Sequence, residues 1–454
     1  TDSSNAYTVD AGLGATTLTG TRTVTALRSV STSNSTTFAA ASPTFTLAGH
    51  TLNDGDAVVF SGTIPGGLAA VTPYYVVNAA LDTFEVSDTP GGAAITPTST
   101  GTTKATGAVL VSSGNNLETS GILNGVNNSL TIAATGTGAI TAPGAAGGPI
   151  YINSGGSMYF SPTNKSNTIN NSLAIDIGAP INDNGGPVTL VKNGAGVLRL
   201  TSATSNYSGG TVINAGILYV SDDLALGDPS GNITLDGGQL RFVNNNKTFA
   251  RDLVVGPAGG TVAPIGNQNN IYFSGKLTGS GTFGMANTTG AGGRKVFLNS
   301  TSNDFTGEIL LPSVAATLGF NSLVDTPGAG DIIIYRGTST YGCTFQYGSG
   351  AIAPLTLNNR SIQIINDTGN TFTATLSNSN TTQAIIINTD LINIGSTAKN
   401  LTLDAASGPN NVFAGRITDG ADSGAVSLAK TGSGTWVLSG DNTYSGATTL
   451  TAGT

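Results

Sequence analysis

Short apolar runs alternate with clusters of glycine, asparagine and aspartate along the whole chain. Val58–Phe60, Ile233–Leu235 and Ile332–Tyr335 are three of these runs, and each lies among turn-forming residues. Runs of this length, rich in β-branched residues and bounded by turn signals, are typical of short strands. No long stretch repeats apolar residues at the i, i+3, i+4, i+7 spacing of an amphipathic helix, and the helix formers Glu, Lys and Met are scarce. The pattern therefore predicts an all-β fold.

One stretch of this pattern recurs within the chain. LVKNGAGVLRLTSATSNYSGGTVINAGIL begins at Leu190, and LAKTGSGTWVLSGDNTYSGATTLTAGT begins at Leu428. A weaker third copy, KVFLNSTSNDFTGEILL, begins at Lys295 and lacks the two spaced glycines. A feature that recurs along one chain is more typical of an architectural unit than of a single active site. The positions that we predict to be structural in this repeat are Lys192, Gly194, Gly196, Tyr207, Gly209, Phe305, Gly307, Lys430, Gly432, Gly434, Tyr444 and Gly446.

The surroundings of the motif also recur. YFSGKLTGS, which begins at Tyr272, parallels VFAGRITDG, which begins at Val412. The complete repeat is therefore on the order of 100–140 residues long and consists of several strand–turn units.

The repeated residues resemble the autotransporter-associated β-strand repeat, also called the passenger-associated repeat. That family combines a Lys-x-Gly-x-Gly-x-Leu strand, an Asn-Thr-Tyr-Ser/Thr-Gly turn and an Ala-Gly-x-Leu strand. Ala215–Leu218 and Ala452–Thr454 carry the last element in this chain. The resemblance covers most of 151–454 and, more loosely, 1–36 and 108–149. It implies a right-handed parallel β-helix (β-solenoid) on a secreted or surface-anchored bacterial protein.

Glycine is suited to the corners of such a fold. The coils of a β-helix stack at about 4.8 Å, and each corner needs a backbone conformation that Gly, Asn and Asp tolerate. The chain has 64 glycines in 454 residues, about twice the usual share. Its last residues, Ala452–Thr454, lie inside the repeat, and the terminal coils of a solenoid need a cap or a partner strand. Either a longer natural chain continues the coil, or the next copy of the chain completes it. In the second case we expect copies of the chain to stack as a head-to-tail homopolymer.

One segment near the N-terminus departs from the repeat. Phe45–Ile95 is richer in aromatic residues and prolines and contains hairpin-like turns. It is similar to a small β-domain of phage tail and bacterial surface proteins, whose pattern is matched by Gly55-Asp56, Val58–Phe60, Pro65–Leu68, Tyr74–Val76 and Asp82–Phe84. The organisation that we predict is first β-helix coils at 1–36, an inserted small β-domain at 37–107, and a parallel β-helix with the repeats at 108–454.

The low charge of the chain excludes several classes of function. Charged residues make up 9% of the sequence, against about 25% in typical soluble proteins, and the formal net charge is −8. Lys and Arg are scattered and form no basic stripe, so we expect no nucleic-acid partner. No run of 18 apolar residues exists, so we expect no membrane-spanning helix. Cys343 is the single cysteine, and we expect a buried, inert thiol there.

Residues that carry chemistry in other proteins are sparse. His50 is the single histidine, and its place before a turn favours a structural role over a Ser–His–Asp triad. The zinc motifs HExxH and CxxC are absent. Asp54 and Asp56 suit either a Ca²⁺ site or an Asp-Gly turn, and Asp222 and Asp223 are similar.

Two further sets of residues admit both a functional and a structural interpretation. Enzymes of the β-helix class that cleave acidic polysaccharides need carboxylates together with Lys or Arg on one sheet face, and Lys192 lies near Arg199. Only the lysine recurs in the second copy, which favours a structural corner. Tyr207, Phe305 and Tyr444 suit either an aromatic ladder for sugar stacking or packing over a turn. We predict no catalytic residue, no cofactor and no metal.

The sequence predicts an extracellular structural protein of a bacterial surface. Our first hypothesis is a β-helical rod that forms or extends a surface fibre or filament by end-to-end stacking. The alternative is a surface adhesin in which the segment Phe45–Ile95 binds a glycan or a host ligand. A polysaccharide-degrading enzyme is the third hypothesis. The partners that we expect are further copies of the chain and surface glycans.

Overall fold

Strands of two to seven residues dominate the described chain, and the helical element among the described residues is a 3-10 turn at Asp223–Leu226. The computed structural model describes residues 7–9, 16–18, 20–24, 27–29, 34–48, 50, 52–69, 72, 74–124, 130–154, 174–265, 270–286, 293–311, 316–336, 342–366, 372–419 and 424–454. The stacked parallel strands form a β-solenoid, which confirms the predicted fold class. Contacts divide the chain into two compact units, Thr1–Gly231 and Asn232–Thr454.

The first unit contributes strands β1 to β21. They are β1 (Tyr7–Val9), β2 (Thr16–Leu18), β3 (Arg22–Val24), β4 (Leu27–Ser29), β5 (Asn34–Phe38), β6 (Phe45–Thr46), β7 (Ala57–Gly62), β8 (Tyr74–Val77), β9 (Thr83–Ser87), β10 (Gly101–Gly107), β11 (Val109–Val111), β12 (Asn116–Thr119), β13 (Gly121–Asn124), β14 (Leu130–Ala134), β15 (Ala139–Thr141), β16 (Gly148–Ser154), β17 (Ala174–Ile177), β18 (Val188–Asn193), β19 (Val197–Leu200), β20 (Thr211–Ile213) and β21 (Ile217–Val220).

Three parallel sheets, here named 1A, 1B and 1C, form the solenoid of the first unit. Within this unit, sheet 1A has the order β1-β4-β13-β16-β18-β20, sheet 1B the order β2-β11-β14-β17-β19-β21, and sheet 1C the order β15-β12-β3. Neighbouring strands in a sheet come from successive coils. Leu198 lies beside Leu218, so that coil is 20 residues long.

Alternate side chains of each strand point into a narrow core. One inward column of sheet 1B is apolar in the five successive coils from β11 to β21, and its members there are at most 3% exposed. Burial of one such side chain contributes about 1.5–3 kcal/mol, so each coil is stabilised by covering the apolar edge of its neighbour. The residues of this column, in direct register, are Val109, Ile132, Ile177, Leu200 and Val220.

A closed antiparallel barrel interrupts the solenoid between β4 and β11. Its strand order is β10-β5-β6-β9-β8-β7. Phe45 lies at its centre, with ring-centroid distances of 5.0 Å to Phe60 and 5.5 Å to Phe84. The predicted insertion at 37–107 falls on these strands, whereas the bounds that we assigned to the three segments stay predictions.

The barrel packs against the outer face of sheet 1B. The backbone N–H of Ala108, just before β11, donates to the carbonyl oxygen of Ala57 at 3.0 Å. Apolar side chains from both sides complete the contact, so the inserted module is held against the sheet. This buried cluster consists of Ala57, Val59, Tyr75, Ala108, Leu110 and Ala133.

The second unit contributes strands β22 to β44. They are β22 (Ile233–Leu235), β23 (Gln239–Phe242), β24 (Lys247–Phe249), β25 (Leu253–Val255), β26 (Gly260–Pro264), β27 (Asn270–Phe273), β28 (Leu277–Gly279), β29 (Phe283–Met285), β30 (Arg294–Leu298), β31 (Ile309–Leu311), β32 (Ala316–Phe320), β33 (Ile332–Arg336), β34 (Cys343–Tyr347), β35 (Leu355–Leu357), β36 (Ile362–Asn366), β37 (Phe372–Asn378), β38 (Ile385–Ile387), β39 (Leu391–Ile394), β40 (Lys399–Ala405), β41 (Asn411–Phe413), β42 (Val426–Thr431), β43 (Trp436–Leu438) and β44 (Thr448–Leu450).

Four parallel sheets, named 2A to 2D, organise the second unit. Within this unit their orders are β22-β25-β28 for 2A, β23-β26-β29-β31-β33-β36-β39 for 2B, β24-β27-β30-β32-β34-β37-β40-β42-β44 for 2C, and β35-β38-β41-β43 for 2D. Coil length varies within this unit. Phe345 lies beside Leu376, 31 residues later, whereas Lys430 lies beside Leu450, 20 residues later. The extra residues form longer connections between strands, which a solenoid accepts without loss of register.

Cys343 occupies an inward position of sheet 2C. It lies in register between Ala316 and Ala374 of the neighbouring coils and is fully buried. Two small neighbours leave room for the sulfur in the core. A search of the described residues finds no helix that is long and apolar enough to span a membrane.

The contact between the barrel and sheet 1B yields a prediction. Leu110→Asp places a charge in the apolar cluster, where burial without a partner is costly, so we expect the barrel to leave the sheet. The amide of Ala108 should then exchange faster with deuterium, while the amide of Phe84, in β9 of the barrel, keeps its protection. Tyr151→Asp, at a position that is 49% exposed, is the control. Unchanged exchange at Ala108 in the Leu110 variant would contradict the described packing.

Candidate functional site

Lys192 points into the solenoid. It lies in β18, in an inward column with isoleucines on both sides, and is fully buried. Its Nζ donates to the carbonyl oxygens of Asn193, Gly194 and Ala215, at 2.8, 2.7 and 3.1 Å. An ammonium group has three N–H donors, so this cage of three carbonyls satisfies the buried charge with no carboxylate among the acceptors.

Lys430 repeats this arrangement in the second unit. It occupies an inward position of β42, with leucines beside it in the coils on both sides. Its Nζ donates to the carbonyl oxygens of Thr431, Gly432 and Ala452, the last two at 2.9 and 3.2 Å. In both cages two carbonyls come from the coil of the lysine and one comes from the next coil. The charge-assisted bonds therefore tie two coils together at a corner.

The electrostatics of the two cages combine opposing effects. Burial lowers the pKa of Lys192 to about 7. Burial also lowers the pKa of Lys430, and the charge of Asp404 opposes that shift. The carbonyl dipoles in each cage favour the ammonium form, because they offer it acceptors in place of water.

A third lysine, which the repeat did not reveal, is also buried. Lys399, at the start of β40, is fully buried and donates to the carbonyl oxygens of Gly395 and Thr397, at 2.8 and 2.9 Å. Its spacing could have revealed it, because Lys399 is in phase with the inward residues Leu401 and Leu403. A lysine in phase with the apolar side of a strand is therefore the signal for such a cage in this chain.

The first glycine of each motif provides the conformation of the corner. Gly194 has φ 74° and Gly432 has φ 68°, in the left-handed region that favours glycine. Gly216 and Gly453, with φ 67° and 72°, lie over them in the next coil. A Cβ on either would overlap the carbonyl oxygens of the glycines below. Only glycine lets these two corners approach so closely.

The second glycine of each motif connects to the preceding coil. The N–H of Gly196 donates to the carbonyl oxygen of Ser154 at 2.7 Å, and that of Gly434 to Ala405 at 2.9 Å. A Cβ on Gly434 would overlap the carbonyl oxygen of Ala406. The spaced glycines of the motif therefore have different tasks, one of conformation and one of close approach.

The aromatic residue of the motif closes the next corner. Tyr207 is fully buried, and its hydroxyl lies 2.7 Å from Thr211 Oγ1. Tyr444 makes the same bond to Thr448 at 2.8 Å. In the third copy the tyrosine is replaced by Phe305, and the residue four positions later is the apolar Ile309. Both partners of the hydroxyl pair are therefore absent together, which leaves no polar group unpaired.

The residue two positions before the aromatic residue has the same task in all three copies. Its side-chain oxygen accepts a backbone N–H from the coil below, which would otherwise lack a partner at the corner. The donor–acceptor pairs are Ile181 with Ser205 Oγ at 3.2 Å, Leu277 with Asn303 Oδ1 at 2.8 Å, and Ile417 with Asn442 Oδ1 at 2.9 Å.

Two aspartates that were not among the predicted residues accept hydrogen bonds from the residue after the tyrosine. Ser208 donates its N–H and its hydroxyl to Asp183 at 3.0 and 2.6 Å, and the N–H of Ser445 donates to Asp419 at 2.9 Å. Burial raises the pKa of Asp419, but hydrogen bonds from Val426 and Ser445 outweigh this effect and hold the pKa below its ordinary value. The signal in the sequence is the pair of Ile-x-Asp triplets that precede the two strong copies.

The glycine two positions after the aromatic residue is required by space. We had expected backbone conformation to require glycine at the corners. Gly209, Gly307 and Gly446 have φ values outside the left-handed region, so conformation does not explain these three. A Cβ on each would overlap a carbonyl oxygen of the preceding coil. These carbonyls belong to Val188, Gly281 and Val426.

The corner as a whole orders the coils. Its lysine and its buried aromatic residues are enclosed, and the neighbouring coils satisfy its polar groups. Tyr207 and Phe305 are fully buried, so neither presents a ring face to a sugar. The arrangement sets the register between coils and limits how neighbouring coils can shift.

Arg199 and Lys192 do not meet. Arg199 lies on the outer face of sheet 1B, where its guanidinium bonds Asp176 at 2.8 Å and lies 5.7 Å from the ring centroid of Tyr219. Lys192 faces the interior from sheet 1A. Burial raises the pKa of Asp176, while Arg199 opposes the shift. The catalytic arrangement that these residue types suggested is not formed.

His50 forms hydrogen bonds within the barrel. The N–H of Leu52 donates to His50 Nδ1 at 3.2 Å, and Nε2 lies 3.0 Å from the carbonyl oxygen of Thr83. Because Nδ1 accepts, Nε2 carries the hydrogen and donates to Thr83. His50 therefore connects the turn before β7 to β9, which is the structural role that we expected.

The aspartates of the same turn bind backbone N–H groups. Asp56 accepts from Asn53 at 2.8 Å, and Asp54 accepts from Ala79 at 2.8 Å. Burial raises the pKa of Asp56, and hydrogen bonds from Asn53 oppose this. Asp222 directly precedes the 3-10 turn. Across the described ranges, no three His, Cys, Asp or Glu side chains are grouped in a way that could hold a metal ion.

Comparisons with known proteins match the repeat. The model of the passenger-associated-transport repeat matches residues 190–220 and 428–454, which contain both lysine cages and both tyrosine corners. The adhesin BmaC autotransporter of Brucella suis biovar 1 (strain 1330) is 27% identical over 293 residues. That alignment covers 61% of this chain and 7% of the adhesin, so the chain spans a small part of that relative. No solved structure matches the chain. The predicted repeat family is confirmed, and the chain carries passenger-associated-transport repeats.

The cage of Lys192 predicts a pH dependence. The folded-state pKa of about 7 lies below the ordinary value of 10.5, so the unfolded chain binds more protons between these values. The free energy of unfolding should therefore rise with pH from about 7 to 10, by at most about 1.4 kcal/mol per pH unit. The rise should be smaller in Lys192→Met, in which Lys430 still contributes, and unchanged in Lys295→Met, at an exposed position. An equal rise in Lys192→Met would contradict the assignment.

The tyrosine corner predicts a double-mutant cycle. Tyr207→Phe leaves the buried Thr211 hydroxyl without the phenol, which should cost about 1–3 kcal/mol in urea unfolding. Tyr207→Phe/Thr211→Val removes both hydroxyls and imitates the apolar pair of Phe305 and Ile309, so it should recover most of the loss. A double variant that is no more stable than Tyr207→Phe would show that the pair is not coupled.

Proposed function

We propose that the chain is a segment of a secreted bacterial surface adhesin, in which the β-solenoid is a scaffold for an adhesive surface. The observation that carries this proposal is the pair of passenger-associated-transport repeats at 190–220 and 428–454, each with its lysine cage. The similarity to a protein named as an autotransporter adhesin supports an extracellular, cell-surface location. It favours the adhesin alternative over the fibre subunit that the sequence pattern put first.

A scaffold role agrees with how the polar groups are distributed. The corners place their lysines, aspartates and hydroxyl groups where neighbouring coils bind them, so the interior is held by many small contacts. The outer faces carry the uncharged Thr, Ser and Asn of a chain with only 9% charged residues. Such a surface is available for recognition.

An enzyme would need a different arrangement. Polysaccharide cleavage requires a proton donor and acceptor beside the bond that breaks. Lys192 is enclosed, and Arg199 is engaged by Asp176. We therefore propose a non-enzymatic role.

The barrel does not supply an aromatic binding surface. Exposed aromatic side chains on this module would favour a role for it in ligand binding. Its six aromatic residues are all at most 7% exposed, in the barrel core or against sheet 1B. They are Phe38, Phe45, Phe60, Tyr74, Tyr75 and Phe84. The outer faces of the solenoid sheets are therefore the better candidates for ligand contact.

Adhesion of the purified chain tests the proposal. Beads coated with the 454-residue chain should bind cultured mammalian epithelial cells more strongly than albumin-coated beads under flow. Periodate oxidation of the cell-surface glycans before the assay should reduce binding if the ligand is a glycan and leave it intact if the ligand is a protein. Equal retention of the two kinds of beads would contradict an adhesive role for this segment.

Self-association stays a separate prediction. Sedimentation velocity over a range of concentrations would detect head-to-tail polymers as a series of faster species. A single species throughout would exclude end-to-end stacking of this chain and leave the adhesin proposal intact.

A further inference from the structure

Four threonines form a column on the outer face of sheet 2C. Thr317, Thr344, Thr375 and Thr402 are direct neighbours in four successive coils, and each is half-buried. Because adjacent strands lie about 4.8 Å apart, their hydroxyl groups repeat at that interval. We call these four residues the threonine column.

The hydroxyl groups of the threonine column make no hydrogen bond to any other part of the described chain. The adjacent column differs. There Gln346 Nε2 donates to Ser379 Oγ at 2.9 Å, while Ser377 and Thr431 donate to the carboxylate of Asp404 at 2.8 and 2.9 Å. One column is thus largely satisfied from within, and the other offers one donor and two acceptors in each coil.

A second unbonded column extends the surface on the other side. Thr373, Asn400 and Ser427 are in direct register in three successive coils. Their side chains also make no hydrogen bond within the part of the chain that the structure describes. Together the two columns present seven adjacent polar side chains without a charge. Lys295 lies at one end of the threonine column and Ala429 at the other.

Strand preference alone explains threonine at some of these positions, because β-branched residues suit an exposed strand face. It does not explain asparagine and serine in the second column, nor why none of these seven side chains has a hydrogen-bond partner among the residues that the structure describes. A matching ligand must offer donors and acceptors repeatedly along one direction, and it must carry little charge. Neutral polysaccharides meet these requirements, whereas an acidic polymer would find few cations on this face.

We propose that the threonine column and its neighbours bind an extended neutral polysaccharide that lies along the stack of coils in the second unit. Each coil contributes one weak polar contact, and successive contacts add because the ligand is one chain. The inference rests on the proposed adhesin function, to which it adds a ligand class and a binding face.

Affinity electrophoresis of the full chain tests the site. Native gels would contain mannan, dextran or hydroxyethylcellulose as neutral probes, and hyaluronate as an acidic probe. Thr344→Val/Thr375→Val keeps the branched shape and removes two central hydroxyls. Thr234→Val/Thr356→Val, on the outer faces of sheets 2A and 2D, is the matched control. Urea unfolding of both variants would verify that they fold.

We expect at least one neutral polysaccharide to retard the wild-type chain. The column variant should bind about tenfold more weakly, as expected for two lost hydrogen bonds, and the control variant should bind like wild type. Equal retardation of the column variant would overturn the proposal. Retardation of the wild-type chain by hyaluronate alone, or by no polysaccharide, would also overturn it.

The bead assay separates this inference from the proposed function. Adhesion that is equal for wild type and the column variant would overturn the polysaccharide site and leave the adhesin proposal standing. A lack of adhesion, together with column-dependent retardation in the gel, would support the site and contradict the adhesin role of this segment.

Discussion

Hydrogen bonding between successive coils is the interaction on which the rest of this structure depends. A parallel strand has no partner within its own coil, so its backbone N–H and C=O groups are satisfied only by the coils on either side. Strands pair easily, because their residues face one another in register. The corners are harder, because the backbone turns there and its carbonyls no longer point at a neighbouring strand.

The repeat is a solution to that problem at the corners. Lys192 and Lys430 each collect three carbonyls that the turn leaves without a strand partner. Asp183 and Asp419 receive N–H groups from the following coil. Glycine is required partly by conformation and partly because two backbones approach too closely for a Cβ. The same few residue types therefore recur wherever the chain makes the same corner.

Because the core and the corners hold the coils together, the outer faces are freer to vary, and this connects the fold to the proposed function. The corners and the inward columns hold the coils together, and the outward columns contribute little to that task. A surface protein can then change its ligand by changing outward residues in successive coils. The threonine column is one such surface, and the barrel against sheet 1B shows that an outer face can also hold a folded module.

The sequence by itself determined the all-β fold and the repeat, because these depend on local alternation, turn residues and self-similarity. It also indicated that Lys192 and Tyr207 are architectural, since both recur. It did not show that the lysines face inward, because alternation gives two faces and a lysine is normally assigned to the outer one. Asp183, Lys399 and the threonine column emerged only from the tertiary structure. The partners of Asp183 and the neighbours of the four threonines lie in adjacent coils, whereas Lys399 binds carbonyl oxygens of the segment just before it. Only the folded register decides which residues of two coils lie side by side.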